Sequence, residues 1–443
     1  MKRRVLALTL AILAFSLIGV FAYLKSGEGM GIVLWIILCA FISIPLIAYA
    51  TIQIIFSGVY RDRKHLPSMN HSDSPSVIVI IPTRNDPSIF DALPDVLMMD
   101  YTNFKVCVVD DSDNINFLEN LKKLESDRVS VLHREKRVGR KGGAINYGLD
   151  WLRQSSREPE FVAIFDADHH PTPDFLTKAV SIAVETGKPI IVGWQPHEIA
   201  DNDIFGKLIR VSWRATAIDF DSQTKLGFAP IFGGSAGLFD YGWLSKVRFN
   251  EKAFSEDWDI SIRAYLREGN HPIIFRDDLR AVGVVPEGLK EYIPQQIRWA
   301  EGAIAALRQN FWAIITSPKL SIRTKIGLFY DGLQWAQSLL IVISLLLIWG
   351  WFTSGSLVPL GVSIGLIVYY EVGWVSRLLL ATQIERFTLR STVSVFLFAH
   401  LMLYAMLPVY FYATLRGWLL DIGPWHVTKK RKEEKLQAKE LSL

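Results

Sequence analysis

Cysteine is nearly absent: two residues in 443, Cys39 inside an apolar run and Cys107 inside a strand-like one. That excludes a disulfide framework and any cysteine-based metal site. Internal repeats and low-complexity segments are lacking as well, which excludes a repeat architecture. Charge of one sign is also scarce, for the formal net charge is only +4, and the basic residues gather beside apolar runs and in the C-terminal tail. Such a distribution suits anionic lipid headgroups and argues against nucleic acid as a partner.

What the chain has in excess is apolar content, half of its residues, with a mean hydropathy of +0.23. The excess is concentrated in five runs, Val5–Leu24, Gly31–Ile55, Ile326–Phe352, Leu357–Leu380 and Thr392–Leu415. Each approaches the roughly 20 residues that a bilayer span requires. Between about Tyr60 and Arg323 the pattern is that of a water-soluble α/β domain. The expected division is two membrane helices in 1–56, an α/β domain in 57–286, amphipathic interfacial helices in 287–325, further membrane helices in 326–420 and a basic tail in 421–443. The first run follows Lys2, Arg3 and Arg4, is too long for a signal peptide and lacks an A-x-A cleavage site, so it is expected to be a retained anchor. Arg61, Arg63 and Lys64 after the second run place the N-terminus and the large domain in the cytoplasm. Three spans after that domain leave the tail outside, whereas Lys429, Lys430, Arg431, Lys432 and Lys435 argue for inside, so one segment is expected to be interfacial or re-entrant.

Within the α/β region, strand and helix patterns alternate, which predicts a parallel sheet. Ser76–Pro82, Lys105–Asp111, Arg128–Leu132, Phe161–Asp168 and Ile190–Trp194 read as strands. The stretch Phe161–Asp168, FVAIFDAD, ends in two carboxylates one residue apart, at the sheet edge where open α/β folds bind ligands. Alternation along an extended chain points Asp166 and Asp168 to one side, where they can share a hard cation and its phosphates. Another strand ends in Asp110 and Asp111. Arg137–Gly143, RVGRKGG, either faces an anion with its backbone NH groups and Lys141 or simply starts a helix. His169 and His170 read as a polar loop, since neighbouring strand side chains point apart. The glycines of Phe232–Phe239 serve a tight turn or a close ligand approach. Ser255-Glu256-Asp257 starts a helix to Arg267 and is either an N-cap or a chemical group.

Taken in order, VVDDS, DAD, SED and QQIRW resemble the D, DxD, TED and QxxRW motifs of the family 2 glycosyltransferases, in particular the membrane-embedded cellulose, hyaluronan, chitin and mannan synthases. The resemblance covers nearly all of the soluble domain and the flanking spans. It implies a cytoplasmic GT-A type domain inserted between transmembrane helices, in a multi-pass protein of the plasma membrane. The reaction it implies is inverting transfer from a nucleotide sugar, a UDP-sugar expected ahead of a GDP-sugar, to a growing β-linked polysaccharide that is also translocated. A single transfer to a membrane lipid acceptor is the alternative.

Chemistry and resemblance together assign the roles. Asp168 with Asp166 would hold Mg2+ or Mn2+ against the diphosphate, whose charge grows as the glycosidic bond breaks. Arg298 offers a permanently charged planar fork, and Gln295 lies one helical turn earlier on the same face. Asp110 and Asp111 would bind the nucleoside, and Lys141 a phosphate. Asp257 matches the family's catalytic base, while Trp299 and Phe232 would meet the acceptor. The pattern departs from the family at Val247-Arg248-Phe249, where Gly-Gly-Phe or Gly-Gly-Tyr is usual, at Ser255 for threonine, and at Gly233, where cellulose synthases often carry cysteine. Trp425–Lys429, WHVTK, reads either as a segment like the FxVTxK gate of cellulose synthases or as a surface basic tail. In the membrane runs, Asp331, Gln334 and Ser338, and separately Glu371, His400 and Tyr404, read as polar groups facing a protein-lined path or joining helices.

Overall fold

The computed structural model describes residues 48–60, 74–155, 158–198, 203–335, 338 and 357–419. These fall in two units, one from Tyr60 to Gly332 and one combining residues up to Val59 with those from Leu333 onward. The apolar run Val5–Leu24, most of Gly31–Ile55, the segment Trp425–Lys429 and the basic tail lie outside the described residues.

In the larger unit, β1 (Val77–Thr83), β2 (Phe104–Asp110), β3 (Val129–His133) and β4 (Phe161–Ile164) pair in parallel in the order β3-β2-β1-β4. Their branched side chains are buried on both faces, as a covered parallel sheet requires. The sheet continues through β8 (Gly237–Asp240), β6 (Ile190–Trp194) and β9 (Ile273–Val284), with the short β5 (His170–Pro171) and β7 (His197–Glu198) both paired to β9. The sheet is therefore parallel only in the main. β8 runs antiparallel to both neighbours, and Gly237 pairs with Ile164, so the glycine-rich turn before it reverses the chain at the carboxyl end of β4.

Helices α2 (Ile89–Leu97), α3 (Ile115–Lys122), α4 (Arg140–Gln154) and α5 (Phe175–Thr186) connect the first strands, following α1 (Ala48–Val59) of the smaller unit. After them come α6 (Ile204–Leu226), α7 (Tyr241–Val247), α8 (Glu256–Glu268), α9 (Leu289–Thr316) and α10 (Ile322–Gly332). Val79, Ile81, Val108, Ala163, Phe165 and Phe175 belong to one continuous core beneath the strand ends that carry the acids. Asp203 caps α6 by accepting a hydrogen bond from the Gly206 amide at 2.6 Å, an ordinary N-cap for a helix after a loop.

Asp331 does not face a membrane path. α10 ends at Gly332, and Asp331 accepts a hydrogen bond from Gln223 of α6 at 2.7 Å, while Tyr330 donates to Asp219 at 3.0 Å. A methyl group on Gly332 would lie 2.2 Å from Leu307, so α10 is docked tightly on α9. The start of the run Ile326–Phe352 thus belongs to the α/β unit.

The smaller unit contains α1, α11 (Leu357–Ile384) and α12 (Leu389–Leu419). Among the described residues, α12 is long and apolar enough to cross a membrane. Gly373 of α11 lets Ala50 of α1 approach so closely that a methyl group there would sit 2.8 Å from the Ala50 backbone. Glu371 accepts from Tyr404 at 2.9 Å and pairs with His400 at 3.1 Å, so these three polar groups join α11 to α12.

Candidate active site

Two carboxylates at the end of β2 are engaged within the protein. Asp110 is fully buried; it accepts from the Ser112 amide at 3.1 Å and pairs with His133 Nδ1 at 2.8 Å. Asp111 takes a two-pronged contact from Arg134, whose Nε lies 2.6 Å from Oδ1 and whose Nη2 meets Oδ2. Arg134 also donates to the carbonyls of Val138 at 2.9 Å and Arg140 at 3.1 Å. Of the two acids expected to bind the nucleoside, Asp111 therefore also fixes the RVGRKGG turn through Arg134. In that turn a methyl group on Gly143 would come 2.1 Å from the Val138 carbonyl, so this backbone contact admits glycine alone. An open cleft of about 470 Å3 beside it, lined by His133, Arg134, Lys136, Tyr147 and Glu251, contains none of the clustered acids described next.

The turn delivers Lys141 into the centre. Its ammonium donates to Asp166 Oδ1 and, at 2.8 Å, to the Gly234 carbonyl. Burial disfavours its charge, but Asp166, Glu256 and Asp257 outweigh that and raise its pKa. Gly234 has φ +92°, and a methyl group there would lie 3.4 Å from both Asp257 Oδ2 and Lys141 Nζ. The glycine-rich stretch thus makes the tight turn, and Gly234 leaves room for Lys141 and Asp257 beside it.

β4 stops at Ile164, so Asp166 and Asp168 stand in the turn beyond it rather than on the strand. Ser235 Oγ accepts the Asp166 amide at 2.9 Å. The two acids still converge, and His169 joins them: one ligand atom from each lies within 4.8 Å of the others. His170 points away and pairs with Asp95 at 2.6 Å. Neighbouring side chains do diverge, as expected, yet His169 is not a loop bystander. Its Nε2 is buried without a hydrogen-bond partner among the described residues. Two carboxylates beside an imidazole whose other nitrogen meets Asp168 form a donor set that suits a divalent cation.

Ser255 does not cap α8 with its side chain; its hydroxyl donates instead to Asp257 Oδ1 at 2.5 Å. That oxygen also accepts the Trp258 amide at 2.8 Å. Burial raises the pKa of Asp257 despite these bonds, and burial with the neighbouring Asp257 charge raises Glu256 to about 7. Both carboxyls therefore keep a proton more readily than exposed acids do. Val247-Arg248-Phe249, the departure from the family pattern, precedes them. Arg248 adopts φ +53°, the conformation a glycine takes freely, and is held there by a bidentate pair with Asp150 at 2.6 and 2.8 Å.

α9 brings Gln295, Arg298 and Trp299, all half-buried. Burial lowers the Arg298 pKa, while Glu256, Asp166 and Asp257 pull it up, which places the guanidinium among those acids. Trp299 meets Trp213 of α6 edge to face at 5.8 Å. Phe232, by contrast, is fully buried; its ring packs on Phe239 at 5.0 Å and over Gly237. A ring enclosed in the core offers no face to an acceptor, so Phe232 is a packing residue. Sequence reasoning missed Trp213 and His197 and set aside His169. Only the adjacency of His169 to DAD marked any of them.

Residues 78–248 match the family model for glycosyl transferase family 2. The chain is 28% identical over 280 residues to a probable glucomannan 4-beta-mannosyltransferase of Arabidopsis thaliana, covering 60% of this chain and 51% of that protein. It is 26% identical over 279 residues to a glucomannan 4-beta-mannosyltransferase of Oryza sativa subsp. japonica, covering 60% of this chain and 52% of that one. The chain spans about half the length of these relatives. Among solved structures it resembles the mannosyltransferase PcManGT from Pyrobaculum calidifontis in complex with GDP-Man and Mn2+, with a TM-score of 0.53 and 19% identity over 86% of this chain and 98% of that one. That likeness is one of fold.

Proposed function

For a chain whose residues 78–248 form a family 2 glycosyltransferase domain, we propose inverting transfer of a hexose from a nucleotide sugar to a β-linked polysaccharide. The observation that carries this reading is the convergence of Lys141, Asp166, Asp257 and Arg298 on one point. In the transfer, an acceptor hydroxyl attacks the anomeric carbon, the bond to the diphosphate breaks with its electron pair leaving on the phosphate, and Asp257 takes the hydroxyl proton. Lys141 and Arg298 bear on the leaving diphosphate. Asp110 and Asp111 shape the nucleoside end through Ser112, His133 and Arg134. Asp166, Asp168 and His169 are the residues to hold a divalent cation, which would neutralise diphosphate charge.

The names of the relatives support mannose as the sugar, which moves the expected donor from a UDP-sugar to GDP-mannose. Incubating purified protein with GDP-mannose, UDP-glucose and UDP-N-acetylglucosamine, and measuring nucleoside diphosphate release and product size, tests this. GDP release with a ladder of products supports it. A single sugar on lipid replaces it with the alternative of lipid glycosylation, and turnover of none of the donors overturns it. A multi-pass membrane location with a cytoplasmic catalytic domain, and exit of the polymer through the membrane helices, complete the proposal. Product accumulating inside inverted vesicles tests the exit.

A further inference from the structure

We propose that Trp213 forms, together with Trp299, the seat for a sugar ring of the acceptor. This rests on the glycosyl-transfer reading and deepens it. The two indoles come from different helices, α6 and α9, and stand almost perpendicular, at 86° with centroids 5.8 Å apart. Both residues keep part of their surface exposed. A pyranose ring has an apolar C–H face and a polar rim, so it is gripped by flat aromatic walls that leave its hydroxyls free.

The corner belongs to the same frame as the acids. Trp299 follows Arg298 directly, and Trp213 is held in its plane by His197, stacked at 4.2 Å with an 11° tilt. His197 Nδ1 bonds to the Gln195 carbonyl at 3.0 Å, which fixes the plane of the imidazole. Its ring meets His169 edge to face at 6.2 Å, and His169 Nδ1 lies 3.3 Å from Asp168. Gly283 provides the room, since a methyl group there would come 3.0 Å from His169 Nε2 and 3.1 Å from His197 Nε2. About two turns earlier in each helix, Phe205 and Tyr292 form a second perpendicular pair at 5.6 Å. Phe205 is itself buried, so this second pair braces α6 against α9 and holds the Trp213–Trp299 corner in place.

The test is titration of the purified full chain with β-1,4-linked manno-oligosaccharides by calorimetry, with KM and kcat for acceptor-dependent transfer measured beside it. W213A is expected to weaken oligosaccharide binding and raise the acceptor KM about tenfold, on the scale of one lost aromatic stack. The donor KM should stay within about twofold, since this wall faces the acceptor. W213F should restore most of the affinity, and W213L should not. Binding by W213A as tight as wild type, or an equal loss in W213F and W213L, overturns the proposal. Should W213A fail to fold, the pair W213F and W213L decides it. Should the wild type turn over no nucleotide sugar, the glycosyl-transfer reading fails instead, and the binding comparison still decides the role of Trp213.

Discussion

Gly302 and Ser255 pack so closely that a methyl group on Gly302 would lie 2.9 Å from Ser255 Cβ. Gly302 follows Arg298 by one helical turn on the same face of α9, so this contact sets how near Arg298 comes to Asp257. An alanine in an ordinary helix interior gains about 1 kcal/mol over glycine. For Gly302→Ala we expect no such gain, and a loss in kcat of at least about tenfold as α9 backs away. Thermal melting and turnover of the variant check both; a more stable and fully active protein would show that the contact has slack.

Arg134 is expected to matter for folding more than for chemistry. Arg134→Ala leaves the buried Asp111 carboxylate without its two-pronged partner and frees the RVGRKGG turn. Removing one member of a buried ion pair costs about 3–5 kcal/mol. Denaturant unfolding of Arg134→Ala beside the double variant with Asp111→Asn measures it. The double variant should recover part of the loss, and equal losses in both would mean that the pair itself carries little.

Much of this was legible because strands announce themselves by apolar runs and end in punctuation. Val77–Thr83 and Ile190–Trp194 fell within a residue of expectation for that reason. The antiparallel β8 was not, since a reversal at the Gly-Gly turn depends on what the turn packs against, here Lys141 and Asp257. Asp166, Lys141 and Arg298 were placed by motif, and the structure does bring them together. Phe232 was misplaced because an aromatic beside glycines looks the same in a core as in a channel. His169, His197 and Trp213 form a ring contact chain across three elements, which no local spacing encodes.

Glu256 gives a pH signature. Burial first, then Asp257, lifts its carboxyl from the ordinary 4.5 to about 7, with Lys141 opposing. The native protein then keeps a proton that the unfolded chain releases. Its contribution to stability is full below about pH 4.5 and is lost as pH rises through about 7. Melting temperature against pH for wild type and Glu256→Gln should diverge over that interval, the variant falling less. Parallel curves would assign the proton to another group.

Metal dependence follows from Asp166, Asp168 and His169. EDTA should silence turnover, and Mn2+ or Mg2+ should restore it. Asp168→Ala should stay inactive, and His169→Ala should need about 10-fold more Mn2+ for half-activation, with weaker Mn2+ binding by electron paramagnetic resonance. Full activity in EDTA would remove the cation from the reaction.

The most direct test of the account is Asp257→Asn, with nucleotide-sugar binding and turnover measured on the same folded sample. Asparagine keeps the shape and can still meet Ser255, but cannot accept the acceptor's proton. Loss of a general base typically costs about 10²- to 10⁴-fold in rate. The account predicts a fall of that size with donor affinity nearly unchanged, because Lys141, Arg298 and the Asp166 cluster remain. Normal turnover by the folded variant would contradict it and leave Ser255-Glu256-Asp257 as a helix start.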